Sequence, residues 1–351
     1  MATERTRGRK IAFSLISMLL LLVIFAFLGE LLVWIFNPRA TIYPAMKYSP
    51  EYGAVLYNNE VIVHQQPRHF KFLYTVNSLG YRGKEVPISN SYDKTNIVIL
   101  GDSFSFGHGV QDGQQYASIL WDSLANDYNV INLGVGGWGL TQEIRRFYEF
   151  GQLYNPKIVI LQFFHNDPVD NLNNQVTVIE NGRFEFKNSN SNTNWLKKYL
   201  SHSIIQKSQF YNLLRTGAIS LFKGKMDEAQ KEEFAEKHKI SGIPPEEKYY
   251  NDLLELFAKD MKRRNIELLF FSVNDALPKF PHIKDKVLEL NEEKMLKFID
   301  IDPWFKTPAD VEPSPAGHYG PRWNYLVGTN LAEYIKASND STINNDSTLV
   351  N

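Results

Sequence analysis

The chain has 351 residues, a formal net charge of −1, and 43% hydrophobic against 22% charged residues, enough for one large domain or two small ones with a sizeable core. The near-zero charge gives no global attraction to nucleic acid, so no nucleic-acid partner is expected. Cysteine is absent, which excludes disulfides, thiolate catalysis, zinc–thiolate sites and a lipidated N-terminal cysteine together.

Residues 1–10 form a basic flank, with Arg5, Arg7, Arg9 and Lys10 against Glu4, and residues 11–36 carry Glu30 as their single charge. At about 1.5 Å per residue the second stretch crosses the roughly 30 Å hydrocarbon core of a bilayer. Trp34 and Phe36 near its end suit the interfacial belt. A cleaved signal peptide is the competing reading. The run is longer than a usual signal core and lacks a small-x-small cleavage site, which favours an uncleaved transmembrane signal anchor. The basic flank then stays cytoplasmic, and everything after residue 40 lies on the far side of a membrane crossed once. The lipid bilayer is therefore one expected partner.

Alternating stretches such as Val61-Ile62-Val63 and Phe70 to Tyr74 give residues 43–91 the look of a β-rich N-terminal extension. Asn96 to Leu100 then reads as a buried strand closed by Gly101, presenting Asp102 and Ser103 at its carboxyl end. Tyr116 to Leu124 predicts a short helix, and Asn129 to Asn132 a second strand. Thr141 is a candidate cap for a helix bearing Ile144, Phe147, Tyr148 and Phe150. A third strand, Ile158 to Phe163, runs into His165-Asn166-Asp167.

Over 171–245 the pattern changes to a helical insertion: a polar tract (Asn188 to Asn194), an amphipathic stretch (Trp195 to Phe222) and a densely charged helix (Asp227 to Lys239). It reads as a cap over the site, a docking surface or a solvated decoration. A helix from Glu246 to Arg264, strands at Ile266 to Val273 and Phe298 to Ile301, and a last helix with Leu326, Leu331 and Ile335 complete the core. The tail 338–351, rich in Asn, Ser, Thr and Asp, predicts disorder. Strand–helix alternation predicts an α/β fold with a parallel sheet covered by helices on both faces.

In such sheets ligands sit outside the carboxyl ends of the strands. Those ends offer Gly101-Asp102-Ser103, then Asn132 to Gly137, then Asn166-Asp167, with His318 standing before the last helix. Acyl transfer can use this order. A serine hydroxyl needs an imidazole to take its proton. The tetrahedral intermediate needs preorganised donors: a backbone N–H in a glycine-rich turn, an asparagine amide and the nucleophile's own N–H. His165 and Asp167 lack a third ligand at helpful spacing, and no Lys-Ser/Thr follows the glycines, so neither metal nor cofactor is expected. His108, five residues past Ser103, is read as shaping the loop or touching substrate, with a role as a base competing with His318 as the alternative. His64, His69, His202, His238 and His282 lie on no strand end and are read as exposed or locally satisfied.

Four blocks in this order resemble the SGNH hydrolases, the GDSL-like esterase and lipase superfamily: Gly101-Asp102-Ser103-Phe104, Asn132 and Gly134 with Gly137, His165-Asn166-Asp167, and His318-Tyr319-Gly320-Pro321-Arg322-Trp323-Asn324. The resemblance covers roughly residues 93–336, and Asn77 to Gly83 resembles the segment preceding block one in membrane-anchored bacterial members. It implies a three-layer α/β/α flavodoxin-like fold, with Ser103 as nucleophile, His318 as base, and Gly137 and Asn166 in the oxyanion hole. The chain departs from the pattern in three ways: Phe164 stands where a glycine is usual, Trp323 replaces another, and Pro315 and Ala316 stand where an aspartate is expected before His318. Glu312 and Asp310 are the nearest acids. Glu312 is the expected partner of the ring, with a backbone carbonyl and a Ser–His dyad as the alternative.

The function expected is a membrane-anchored serine esterase acting on O-acyl esters, O-acetyl esters and acylated glycans among them. The alternatives are an O-acyltransferase acting on a polysaccharide and a catalytically inactive glycan-binding or assembly component.

Overall fold

The computed structural model describes residues 2–36, 46–66, 69–124, 127–189, 208–238 and 242–346. Helix α1 (Ala2–Phe36) is the apolar N-terminal segment, and Gly8–Phe36 within it is long and apolar enough to cross a membrane. Two antiparallel hairpins follow, β1 (Lys47–Ser49) with β2 (Gly53–Val55), and β3 (Val61–Gln66) with β4 (Phe70–Thr75). The alternating core is then β5 (Thr95–Leu100), α2 (Ser103–Phe106), α3 (Tyr116–Leu124), β6 (Tyr128–Asn132), α4 (Leu140–Glu149), β7 (Ile158–Phe163) and α5 (Asp167–Asn173). A hairpin of β8 (Thr177–Glu180) and β9 (Arg183–Phe186) precedes α6 (Gln209–His238) and α7 (Pro245–Arg263). The chain closes with β10 (Glu267–Ser272), α8 (Pro281–Glu292), β11 (Lys297–Ile299) and α9 (Pro321–Asp346).

Five strands make one parallel sheet in the order β6-β5-β7-β10-β11. Strand side chains alternate across the sheet, so a strand covered on both faces reads as one continuous apolar run. Val98 and Leu100 of β5, Val159 and Leu161 of β7, and Leu268 and Phe270 of β10 face the core shared with α4, α7 and α8. Ile97, Ile99, Ile158, Ile160, Leu269 and Phe271 face the core shared with α3 and α9. This is the three-layer α/β/α arrangement. Counted from β5, the strand order is 2-1-3-4-5, whose topological switch point lies between β5 and β7.

Some elements differ from the sequence reading. Gly139, not Thr141, caps α4: its N–H donates to Gln142 Oε1 at 3.1 Å, while the Thr141 hydroxyl donates to the Asn174 carbonyl at 2.6 Å. The stretch expected to be a purely helical insertion contains the β8–β9 hairpin, because Asn181-Gly182 supplies two left-handed residues at its turn. Its helix is continuous from Gln209 to His238, and the part predicted from Trp195 to Lys207 lies outside the described residues. Helix α9 continues past Ser338, where disorder was expected, to Asp346. Residues 347–351 of that tail are outside the described residues.

Candidate active site

Strand β5 ends at Gly101, where an added Cβ would lie 2.3 Å from Ser105 Oγ and 2.6 Å from Gln162 Oε1. Only glycine lets the chain turn here against β7. Asp102 then caps the single turn α2, its Oδ1 accepting from the Phe104 N–H at 2.9 Å. Gln162 on β7 holds the same turn by accepting from the N–H groups of Asp102 and Ser105 and from Ser105 Oγ. Ser103 is thereby fixed at the first helical position, beside the switch point.

The second block lies against this turn. Asn132 donates to the Ser105 carbonyl at 2.7 Å and accepts from the Gly134 N–H at 3.1 Å. The loop continues so close that a Cβ on Gly136 would stand 3.7 Å from Ser103 Cβ, while Gly137, with φ +76°, faces open space. At the end of β7, Asn166 is half-buried and donates through Nδ2 to Asp170 Oδ2 at 2.6 Å.

His318 arrives on a tight turn in which the Ser314 N–H donates to the His318 carbonyl and Pro313 bridges Tyr319. Its Nε2 lies 2.8 Å from Ser103 Oγ, with the hydroxyl donating when the ring carries its proton on Nδ1. That Nδ1 is buried and has no hydrogen-bond partner among the described residues. Burial lowers the ring's pKa to about 4, offset in part by the nearby Ala316 backbone, so the imidazole is neutral around pH 7.

The carboxylate expected from Glu312 is not beside the ring. Glu312 is exposed, and its main-chain carbonyl accepts from Gly320. The register of the Pro313–Tyr319 bridge fixes this backbone and leaves the side chain in solvent. Asp310 is engaged elsewhere, accepting from Arg322 Nε and from the N–H groups of Lys306 and Thr307. The ring of His318 is instead packed by two others: Phe104 at 4.7 Å and His108 at 4.5 Å between centroids.

Trp323 does not crowd the base. It is buried in the core, stacked on Tyr319, and donates to Asn274 Oδ1 at 2.7 Å. Phe164 packs on Phe104 at 4.5 Å and so backs the ring that supports His318.

Several residues missed as site components come from the N-terminal hairpins. His64 is fully buried and locally satisfied, with its ring 4.2 Å from that of His108 and its Nδ1 2.8 Å from the Tyr74 hydroxyl. Burial lowers the pKa of His64 to about 4 and that of His108 to about 2. Arg82, also fully buried, donates to the carbonyls of Phe106, Gly107 and Val110 and to Asp112 Oδ1, beneath the ring of Tyr74. Tyr52 stacks on Trp138 at 5.0 Å, and Trp138 donates to the Ala54 carbonyl. The motif Asn77 to Gly83 is therefore the anchor by which the extension holds the loop after Ser103. In the sequence its signal was the resemblance of Asn77 to Gly83 to the segment that precedes block one in membrane-anchored members.

Beneath Ser103 lie three buried carboxyls, Asp102, Glu143 and Asp167. Burial pushes Asp102 up to about 6, and burial with mutual repulsion pushes Glu143 and Asp167 well above the carboxylate range. Glu143 and Asp167 favour the neutral form, which suits a fold-supporting role, whereas Asp102, whose Oδ1 caps α2, is still largely ionised at pH 7.

A serine and a neutral imidazole are thus in contact at the switch point of a 2-1-3-4-5 parallel sheet, with the glycine loop of the second block beside the same turn. The sheet order and its three layers are those of a flavodoxin-like α/β/α fold. No family model and no curated protein matches the sequence. Among solved structures, the chain is similar to the psychrotrophic esterase EstA from Pseudoalteromonas sp. (15% identity, 70% of this chain and 100% of that one, TM-score 0.41). It is also similar to TesA (10% identity, 69% and 99%, TM-score 0.41) and to a GDSL-like lipase from Bacteroides thetaiotaomicron (11% identity, 72% and 93%, TM-score 0.38).

Proposed function

We propose that the chain is a membrane-anchored serine esterase of the SGNH type, hydrolysing O-acyl esters on the extracytoplasmic side. The observation that carries this reading is the 2.8 Å contact between Ser103 Oγ and His318 Nε2. In the mechanism proposed, Ser103 Oγ attacks the ester carbonyl and its proton passes to Nε2. The N–H groups of Ser103 and Gly137 and the Asn166 amide hold the oxyanion. The intermediate collapses as the imidazolium returns its proton to the departing alcohol, leaving an acyl-serine. Water attacks the acyl-serine by the reverse proton path and releases the acid.

With no carboxylate on the His318 Nδ1 among the described residues, the centre works as a dyad, and the rings of Phe104 and His108 supply the orientation. The contact between serine and imidazole favours this reading over an inactive glycan-binding component. An O-acyltransferase would use the same first half-reaction and pass the acyl group to a polysaccharide hydroxyl instead of water.

The test is fluorophosphonate labelling of the full chain in detergent, followed by product analysis with an O-acetylated glycan. Labelling is expected in the native chain and absent in Ser103→Ala, with free acetate as the product. Labelling that persists in the variant removes Ser103 as nucleophile, and acetate found on an added acceptor glycan makes the protein a transferase.

A further inference from the structure

Glu30, the single charge between residues 11 and 36, has a defined partner. Its carboxylate accepts from Ser208 Oγ at 2.8 Å and from the N–H groups of Gln209 and Phe210 at 2.9 and 3.0 Å. A residue of α1 therefore caps the first turn of α6, about 180 positions further along the chain. Phe210 lies over Gly29, where an added Cβ would fall 2.6 Å from the ring, and edge-on to Phe25 with centroids 5.6 Å apart. Val33 is buried in the same contact region of α1.

This contact has a depth. Counting from Ile11 at about 1.5 Å per residue, a hydrocarbon core of roughly 30 Å ends near residue 31. Phe25, Gly29 and Glu30 then lie in its outer part, and the start of α6 lies with them. Helix-start N–H groups have no partner within their own helix, and in hydrocarbon no water can supply one. Glu30 supplies it. In the turn after this cap Leu213 and Leu214 are exposed, as are Leu28 and Leu32 of α1.

We propose that Phe210 to Leu214 form a second membrane contact, in which the first turn of α6 enters the outer leaflet beside α1 with Glu30 as its cap. Further along, α6 is fastened to the α/β domain: Phe234 packs on Tyr249 at 4.9 Å, and Lys231 pairs with Glu246 at 2.9 Å. The helix thus links the bilayer to the domain over about 36 Å from Phe210 to Phe234, at about 1.5 Å per residue. An anchor engaged in this way belongs to the working protein and is not a signal to be removed. The inference rests on α1 being a retained membrane span and is independent of the chemistry at Ser103.

Because the chain has no cysteine, single cysteines can be placed and labelled with bimane in the full chain reconstituted in phosphatidylcholine nanodiscs. Leu20→Cys reports on α1, Leu214→Cys on the proposed contact and Glu228→Cys on exposed α6. Lipids with brominated acyl chains are expected to quench the labels at 20 and 214, and aqueous iodide the label at 228. In Glu30→Ala, lipid quenching at 214 is expected to be lost while that at 20 and esterase activity persist. Quenching by lipid at 20 with iodide access at 214 overturns the proposal and leaves the anchor standing. Protection of 214 from both quenchers means that protein covers it, a second copy included, and also overturns the proposal. Iodide access at 20 removes the anchor and the proposal together.

Discussion

The ring of His108 packs on the ring of His318, 4.5 Å between centroids. The His108 N–H donates to the Ser103 carbonyl at 2.9 Å, so one residue is joined to both members of the dyad. With Phe104 it fixes the imidazole plane by packing, a positioning role that needs a ring more than a proton. His108→Ala is expected to lower kcat about 10–10²-fold, the size of loss that follows a small misplacement of a reacting group, with little change in KM. His108→Phe is expected to recover most of it. Steady-state kinetics of the two variants decide; equal losses in both would mean that the imidazole itself takes part.

Burial disfavours the charged form of His318 and brings its pKa to about 4, below the usual value near 6.5. As the proposed base His318 works when neutral, so activity is expected to be retained above this pKa and lost below it. The acid limb of the kcat/KM profile is therefore expected near pH 4, with a flat profile from pH 5 to 7. A limb near pH 6.5–7 would show that some partner stabilises the imidazolium in the working enzyme.

Asn166 donates one of its amide hydrogens to Asp170, which fixes the direction of the other. Asn166→Ala is expected to reduce turnover by about 10²–10³, the loss typical of one oxyanion donor. Asp170→Ala, which frees the amide to rotate, is expected to give a smaller loss in kcat at unchanged KM. Comparing the two rates checks the order, and a larger loss in Asp170→Ala would give the carboxylate a role of its own.

Arg82 satisfies three backbone carbonyls and Asp112 from a fully buried position. Removing it leaves those acceptors dry and Asp112 without its charge partner. Arg82→Ala is expected to cost about 3–5 kcal/mol of stability, read as a lower midpoint in denaturant unfolding. Arg82→Lys is expected to recover part of this, since an ammonium cannot reach all the acceptors of the planar guanidinium. An unchanged midpoint in Arg82→Ala would mean that the extension does not brace the loop.

The sequence by itself determined the apolar N-terminal helix, the central strands and the strand-end blocks carrying Ser103, Asn166 and His318. Each of these is written in consecutive residues: an uninterrupted apolar run, a strand closed by glycine, a helical stripe. Tertiary structure alone decided what surrounds them. Glu312 is near His318 in sequence, but the bridge between Pro313 and Tyr319 sets its backbone so that the side chain faces solvent. His64 and Tyr74 come from the β3–β4 hairpin and Arg82 from the segment after it, and Glu30 meets α6 across about half the chain's length. No periodicity encodes such contacts. They depend on how the hairpins and the long helix dock on the sheet, and on which buried donors and acceptors that docking leaves to be satisfied.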